Sequence, residues 1–279
     1  MSIDPADRGP LFDLLHRHHV ALKHRFGQNF LVDHVLRDLI ADAAGATADD
    51  DVLEVGAGAG TLTIALARRA RRVVAVELDR EMVPVLRDVT RDLPNIKVVE
   101  ADILRVDLRD LFPNGGEIVA GNIPYNLTGA LIRNLLDVAP RPKRLSLVVQ
   151  KEVAERWTAE SMASVATVAV QVFAVPRYVM TIPASAFEPP PKVDSALVVM
   201  EVRPEPAVRV DDLNAFLRFV EAAFQQRRKQ LAGTLGRMNG LGSAEAAARL
   251  REVGVSPERR PQTISLAEWE GIYRRFTAR

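Results

Sequence analysis

Between residues 51 and 150 the chain alternates short runs of β-branched and aliphatic residues with stretches of helical periodicity. Strands that alternate with helices in this way favour right-handed β-α-β units, and such units build a parallel sheet. The predicted strands are Asp51 to Val55, Val73 to Leu78, Ile96 to Ala101, Glu117 to Ala120 and Leu145 to Val149, and the predicted helices are Leu62 to Ala70, Arg80 to Asp92 and Thr128 to Val138. A ligand site is therefore expected at the carboxyl edge of the sheet.

The pattern changes after residue 151. Residues 152–160 favour a helix, 164–174 fit a helix or a strand, and strands are predicted at 178–182 and 195–202. Two prolines in VRPEPAV, residues 202–208, indicate a linker, and helical patterns follow at 211–224, 244–253 and 266–276. We therefore predict a basic N-terminal arm over residues 1–24, a catalytic α/β domain over 25–206 and a small helical domain over 207–279.

Composition excludes several classes of protein. The 279 residues are 48% hydrophobic, which is enough for a large core, and the net charge of +1 does not by itself suggest a nucleic-acid partner. The absence of cysteine excludes disulfides, a thiolate zinc site and a cysteine nucleophile, and it fits a cytoplasmic protein. No apolar run reaches the roughly 18 residues of a membrane span, and the first 30 residues lack the apolar core of a secretory signal.

A glycine-rich loop, LEVGAGAGTLT, follows the first predicted strand and places glycine at positions 56, 58 and 60. Glycine permits positive φ angles and close approach of the backbone to a ligand, whereas a simple turn needs only one such residue. A dinucleotide fingerprint counted from Gly56 requires glycine where Thr61 stands. The pattern E-x-G-x-G-x-G favours S-adenosylmethionine, because that cofactor has no pyrophosphate and needs the backbone close to its methionine portion and ribose.

Two acids end the next two predicted strands. Glu77 follows the glycines by about 20 residues and can accept hydrogen bonds from both ribose hydroxyls of a cofactor. Asp102, in EADIL, can meet the adenine amino group of the cofactor through its carboxylate or the neighbouring backbone. The alternative for Asp102 is a helix cap or a turn residue.

The hexapeptide GNIPYN follows the predicted strand that ends at Ala120. An adenine amine is a poor nucleophile because its lone pair is delocalised into the ring, so an enzyme that modifies it must hold the amine and let it pyramidalise. The Asn122 side-chain oxygen and the Ile123 carbonyl can accept the two amine hydrogens, in a loop that Pro124 stiffens. Tyr125 can stack on the base. The alternative is a turn containing proline and a half-buried tyrosine.

These motifs resemble those of the KsgA and Dim family of ribosomal RNA adenine dimethyltransferases, of which the Erm resistance methyltransferases are a close sister group. The resemblance covers most of the chain in the family's order: RFGQNFLVD, LEVGAGAGTLT, VAVELDR, EADIL, GNIPYN, VVQKEVAERW and AFEPPPKVDSALV, with a weaker match at AFQQRRKQL. It implies a Rossmann-like class I methyltransferase fold, with a mostly parallel seven-stranded sheet and a small all-helical C-terminal domain. It also implies S-adenosylmethionine as the methyl donor.

The resemblance implies roles for individual residues. The residues expected to contact the methyl donor are Gln28, Asn29, Leu31, Gly56, Gly58, Glu77, Leu78, Asp102, Ile103 and Asn122. The residues expected to hold the target adenine are Asn122, Ile123, Pro124 and Tyr125, with Phe187 packing against the other face of the base.

The chain departs from the family pattern in two places. Ile123 stands where KsgA-type members more often have leucine, although isoleucine is common in the Erm group and offers the same carbonyl. After VAERW the family usually continues with a Pro-Gly turn and a Tyr-Gly-x-Leu-Ser segment, whereas the segment Thr158 to Val170 is shorter and lacks both. The choice of RNA site, or the number of methyl groups added, is expected to depend on this segment.

Basic residues concentrate in two stretches. All five histidines lie in the first 34 residues, which also contain Arg25, and a second stretch contains Arg227, Arg228 and Lys229. The resemblance favours RNA contact by these four basic residues over the alternative of a solvated helix face. The histidines lack the carboxylate spacing of a metal site, so no metal is predicted.

We expect a methyltransferase that uses S-adenosylmethionine to dimethylate N6 of two adjacent adenines of 16S ribosomal RNA. Its partner is expected to be an assembling small ribosomal subunit, and the protein is expected to be a cytoplasmic monomer with no membrane association. Alternatives are an Erm-like 23S methyltransferase giving antibiotic resistance and an RNA-binding assembly factor with weak catalysis. A dinucleotide oxidoreductase is the least favoured. The sequence leaves open the modified adenine, the number of methyl groups, and N6 against a ring nitrogen as acceptor.

Overall fold

The computed structural model describes residues 4–21, 28–125, 127–136, 140–160, 162, 164–226 and 228–278. The strands are β1 (Phe30–Leu31), β2 (Asp51–Val55), β3 (Arg72–Glu77), β4 (Ile96–Glu100), β5 (Ile118–Asn122), β6 (Arg144–Gln150), β7 (Ala174–Ile182), β8 (Phe187–Glu188) and β9 (Ser195–Val202). The helices are α1 (Arg8–Arg17), α2 (His34–Ala44), α3 (Thr61–Ala67), α4 (Met82–Thr90), α5 (Leu108–Leu111), α6 (Thr128–Leu136), α7 (Lys151–Thr158), α8 (Val165–Phe173), α9 (Leu213–Phe224), α10 (Leu231–Met238), α11 (Ser243–Glu252) and α12 (Leu266–Thr277).

Seven strands form one sheet in the order β4-β3-β2-β5-β6-β9-β7. The pairs from β4 to β6 are parallel, and β9 runs antiparallel to β6. Strands β2, β3 and β5 are buried along nearly their whole length, as expected of parallel strands that are covered on both faces. The predicted fold, a mostly parallel seven-stranded α/β sheet followed by a helical C-terminal region, is confirmed.

Strand β5 is longer than the sequence predicts. It continues beyond Ala120 through Gly121 to Asn122, because Gly121 and Asn122 pair with Leu147 and Val148 of β6. A Cβ atom on Gly121 would lie 2.5 Å from the carbonyl oxygen of Val55, so a larger residue cannot occupy this position without moving β2. The first residues of GNIPYN therefore belong to the sheet, and the turn begins only at Ile123.

A second, two-stranded sheet joins distant parts of the sequence. Strand β1 pairs antiparallel with β8, with Leu31 opposite Phe187 and Phe30 opposite Glu188. This pairing brings the predicted donor-contacting segment 28–31 beside the predicted base-packing residue Phe187.

The predicted N-terminal arm contains helix α1. Three leucines of this helix, Leu11, Leu14 and Leu15, are buried in a cluster with Phe30 and Met82. The burial of an apolar helix face stabilises α1 against the same core that supports the glycine loop and α4.

The chain divides into two compact units, Met1–Ala154 with Pro176–Val202, and Glu155–Val175 with Arg203–Arg279. The second unit includes the predicted helical domain and also residues 155–175, which the sequence groups with the catalytic domain. Its core contains edge-to-face contacts of Phe219 with Trp269 and Tyr273.

The stretch 164–174, for which the sequence fits a helix or a strand, forms helix α8. Ser164 caps this helix by accepting a hydrogen bond from the Thr167 amide. Across the described part of the chain, no helix has the length and apolarity to cross a bilayer.

Candidate active site

A cavity of about 340 Å³ lies in the first unit, among loops that follow the carboxyl ends of the parallel strands. Every residue predicted to contact the methyl donor or the target adenine lines this cavity: Gln28, Asn29, Leu31, Gly56, Gly58, Glu77, Leu78, Asp102, Ile103, Asn122, Ile123, Pro124, Tyr125 and Phe187. The structure therefore brings these residues together, while their individual roles remain predictions.

The glycine loop forms one wall of the cavity. Gly58 has a φ of +55°, and a Cβ atom there would lie 3.2 Å from the Phe30 ring, so both backbone conformation and space favour glycine. The Gly58 amide donates to Glu77 Oε2 at 2.8 Å. The loop after β2 is thus fixed to the acid that ends β3.

Glu77 is held by backbone amides rather than by a basic side chain. Its Oε1 accepts a hydrogen bond from the Asp79 amide at 2.8 Å, and its Oε2 accepts the bond from Gly58. Burial raises the pKa of Glu77, and the backbone hydrogen bonds oppose that rise. Because each carboxylate oxygen can accept more than one hydrogen bond, the group retains acceptor capacity for hydroxyls of a ligand.

Asp102 closes a turn and also lines the cavity, so its position is compatible with both the turn role and the donor contact considered for it. It lines the cavity, and its Oδ1 accepts a hydrogen bond from the Leu104 amide at 3.0 Å, which closes the turn after β4. The turn function is therefore present in the structure, and a donor contact by Asp102 remains a prediction.

Sequence reasoning did not identify Glu54 as a site residue. Glu54 is 2% exposed, lies in β2 and lines the cavity. Burial raises the pKa of its carboxyl to about 8, the Thr63 hydroxyl opposes this rise and the Glu77 charge adds to it. Among the described residues, its Oε2 atom has no hydrogen-bond partner. The available signal was an acid placed between apolar residues of a strand, next to the glycine loop.

Asn122 ends β5 with a defined amide orientation. Its Nδ2 donates to the Asn29 carbonyl at 2.8 Å, so the Oδ1 atom is the acceptor end of the side chain. The Ile123 amide donates to the Val148 carbonyl at 3.0 Å, which ties the following residue to β6.

Tyr125 closes the described part of GNIPYN, since Asn126 lies outside the described residues. Its hydroxyl is 2.8 Å from Ser195 Oγ, and its carbonyl accepts a hydrogen bond from Thr128 Oγ1 at 3.2 Å. Phe187, which is predicted to pack against the other face of the base, is 1% exposed and lies on β8.

Of the predicted RNA-contacting residues, those that the structure describes do not line this cavity. Arg25 and Arg227 fall outside the described residues, whereas Arg228 and Lys229 are exposed. Arg228 and Lys229 lie in the connection between α9 and α10 rather than within a helix, and their contact with RNA remains a prediction.

Two of the histidines near the N-terminus lie next to carboxylates. His18 Nε2 lies 3.1 Å from Asp88 Oδ2, and His34 Nδ1 lies 3.8 Å from Asp7 Oδ1. Over the ranges that the structure describes, no group of three or more His, Cys, Asp or Glu is arranged to hold a metal ion.

The sheet order, the glycine loop after β2 and the acid that ends β3 define a Rossmann-like methyltransferase. The family model described as ribosomal RNA adenine dimethylase matches residues 20–277. The chain therefore belongs to the ribosomal RNA adenine dimethylase family, whose methyl donor is S-adenosylmethionine.

Individual relatives agree with this assignment. Ribosomal RNA small subunit methyltransferase A of Geobacter metallireducens is 42% identical over 90% of this chain and 94% of its own. The protein of the same name from Geobacillus thermodenitrificans is 35% identical over 98% and 97%. The solved structure of the 23S rRNA methyltransferase ErmE is 30% identical, with a TM-score of 0.71 over 89% of this chain and 99% of its own. A dimethyladenosine transferase from Plasmodium falciparum, 24% identical with a TM-score of 0.71, shares the fold.

Proposed function

We propose that this protein transfers methyl groups from S-adenosylmethionine to N6 of two adjacent adenines in small-subunit ribosomal RNA. The observation that carries the proposal is the position of Asn122. It is the last residue of β5, and it lines the same cavity as the glycine loop and Tyr125. The names of the relatives from Geobacter and Geobacillus support the small subunit as the target.

The residues of the glycine-loop side fit the methyl donor. Glu77 would accept the ribose hydroxyls, since its carboxylate is already oriented by the Gly58 and Asp79 amides. The unpartnered Glu54 Oε2 in the cavity wall supplies a further buried polar atom on this side. Gln28, Asn29, Leu31 and the residues at the ends of β3 and β4 would enclose the rest. When bound, S-adenosylmethionine supplies a methyl group on a sulfonium, which is an electrophilic methyl group with a neutral leaving group.

The residues of the GNIPYN side fit an adenine amine. Asn122 Oδ1 and the Ile123 carbonyl would accept the two N6 hydrogens, and this contact favours the pyramidal nitrogen that has its lone pair free to attack. Tyr125 and Phe187 would pack on the two faces of the base. No general base is needed before attack, because the proton leaves after the nitrogen has gained the methyl group.

The partner and the location of the protein are part of the same proposal. We propose that the substrate is an assembling small subunit, that the protein acts as a monomer in the cytoplasm, and that Arg25, Arg227, Arg228 and Lys229 contact RNA phosphates. The exposure of Arg228 and Lys229 supports their part in this contact. The methylation site and the number of methyl groups would then depend on the shortened segment from Thr158 to Val170 and on the second unit.

A second candidate is an Erm-like activity on 23S ribosomal RNA. The similarity of the ErmE structure and the isoleucine at position 123 favour it. The relatives named for the small subunit cover as much of the chain at higher identity, and they support the first candidate.

The test is methyl transfer from radiolabelled S-adenosylmethionine to 30S and 50S particles from cells that lack this protein, followed by mass spectrometry of both ribosomal RNAs. The expected result is two adjacent N6-dimethyladenines in 16S RNA and no label in 23S RNA. Label confined to 23S RNA would support the Erm-like activity. RNA binding without transfer, with the Asn122→Ala variant binding equally well, would support an assembly factor.

A further inference from the structure

Tyr125 is held from both of its ends. The Thr128 hydroxyl bonds to its carbonyl from three residues away, whereas Ser195, the partner of its hydroxyl, lies 70 residues further along the chain. Burial raises the pKa of Tyr125, so the phenol stays protonated and can take part in this bond as a donor or an acceptor.

Ser195 is itself fixed by the sheet. It is fully buried at the first position of β9, where it pairs with Gln150 of β6. The preceding residue, Asp194, accepts hydrogen bonds from the Lys151 amide through its carbonyl and from the Ala184 amide through Oδ1, both at 3.0 Å. The serine hydroxyl therefore has a position that the rest of the first unit determines.

We propose that Ser195 is a positioning residue for methyl transfer, which fixes the position of the Tyr125 ring against the target base. The inference rests on the proposed stacking of Tyr125. A tyrosine ring is free to turn about two side-chain torsions, and its hydroxyl is the atom farthest from the backbone. The hydroxyl oxygen lies on the axis of the second torsion, so a hydrogen bond at that atom restricts the first torsion and thereby the place of the ring. The ring is then already in position when the base arrives.

A double-mutant cycle on the two hydroxyls distinguishes the effect of their hydrogen bond from the effect of packing at each position. Ser195→Ala and Tyr125→Phe each remove one partner of the same hydrogen bond. Because such a bond contributes on the order of a fivefold change in a rate or equilibrium constant, we expect kcat for RNA methylation to fall about fivefold in each variant. The KM for S-adenosylmethionine should stay unchanged, and the double variant should be no slower than either single variant.

Ser146→Ala is the matched control. Ser146 is also a fully buried serine, one strand away on β6, and its hydroxyl has no hydrogen-bond partner among the described residues. This variant should keep the kcat of the original protein. Ser195→Thr, which retains a hydroxyl, should recover most of the kcat lost in Ser195→Ala. Circular dichroism and thermal unfolding would verify that each variant is folded.

Two results would overturn the inference: full kcat in Ser195→Ala, or independent losses that multiply in the double variant. The Tyr125→Ala variant separates this failure from failure of the proposed function. If Tyr125→Ala abolishes transfer while Tyr125→Phe and Ser195→Ala retain it, stacking stands and the role of Ser195 is wrong. If Tyr125→Ala retains full transfer, the proposed role of Tyr125 is wrong as well.

Discussion

The side chain of Asn122 donates a hydrogen bond to the backbone carbonyl of Asn29 across 93 residues of sequence. This contact joins the end of β5 to the segment that precedes β1. It also determines which end of the amide is available as an acceptor, because the nitrogen is already engaged with Asn29. A residue on the proposed adenine side is thereby oriented by a residue on the proposed donor side.

Replacing Asn122 should therefore abolish most of the activity. Asn122→Ala removes the proposed acceptor for one N6 hydrogen, and the loss of one oriented polar group from an active site commonly lowers kcat by about 100-fold or more. Radiolabelled methyl incorporation into 30S particles measures the effect. Asn95→Ala is the control, because Asn95 also donates to backbone carbonyls, those of Ala67 and Ala70, without lining the cavity. A variant Asn122→Ala with half of the original kcat would contradict the assignment.

Replacing Glu77 should weaken binding of the methyl donor. Glu77→Ala removes the proposed ribose acceptor and leaves the Gly58 and Asp79 amides without their partner, so we expect affinity for S-adenosylhomocysteine to fall at least about tenfold. Isothermal titration calorimetry measures this directly. Glu117→Ala is the control. Glu117 is an acid that is 2% exposed and precedes the first residue of β5, at the opposite end of that strand from Asn122, so its replacement should leave the affinity unchanged. Equal affinities in the two variants would exclude Glu77 from the donor site.

The features that the sequence predicts are local or follow from parallel-sheet geometry. The apolar run of β2 and the glycine loop are adjacent in sequence, and both are recognised without knowledge of distant contacts. Glu77, Asp102 and Asn122 lie at or just after the ends of three different strands, and a parallel sheet brings those ends to one edge. This is why one cavity gathers the predicted set.

The features that the sequence does not predict depend on distant pairing or burial. Nothing near Asn122 or Tyr125 indicates Asn29 or Ser195 as a partner, because those contacts arise from β1-β8 and β6-β9 pairing. The burial of Glu54 depends on the assembled sheet, in which β2 lies between β3 and β5.

The sequence does not predict helix α10, because LAGTLGRM contains two glycines, which have low helix propensity. Tertiary packing outweighs that propensity, since Leu231 and Leu235 are completely buried. A Cβ atom on Gly236 would lie 3.0 Å from the Leu241 carbonyl oxygen, so this glycine permits a close approach.

The connection between α9 and α10 should contribute to RNA affinity. Arg228→Ala/Lys229→Ala removes two exposed positive charges, and we expect weaker binding to 30S particles and a salt dependence whose slope is smaller by about 1.4–1.8. Filter binding at several salt concentrations measures both. Arg91→Ala/Lys97→Ala removes two exposed positive charges from the first unit and should change the slope less. Identical slopes for both double variants would show that the connection has no special part in RNA binding.

The buried carboxyl of Glu54 should make stability depend on pH. Its pKa rises from 4.5 in the unfolded chain to about 8 in the folded protein. The folded state therefore binds the proton more tightly, and the resulting gain in the free energy of unfolding is complete below pH 4.5 and is lost as the pH rises to 8. A shift of this size corresponds to roughly 4–5 kcal/mol, and Glu54→Gln, which stays neutral, does not undergo this loss. Urea unfolding between pH 5 and 8 should show Glu54→Gln gaining several kcal/mol relative to the original protein. Glu205→Gln, at an exposed position, is the control and should show the same pH dependence as the original protein. If the free energy of unfolding of Glu54→Gln also changed with pH as it does in the original protein, the prediction would be contradicted.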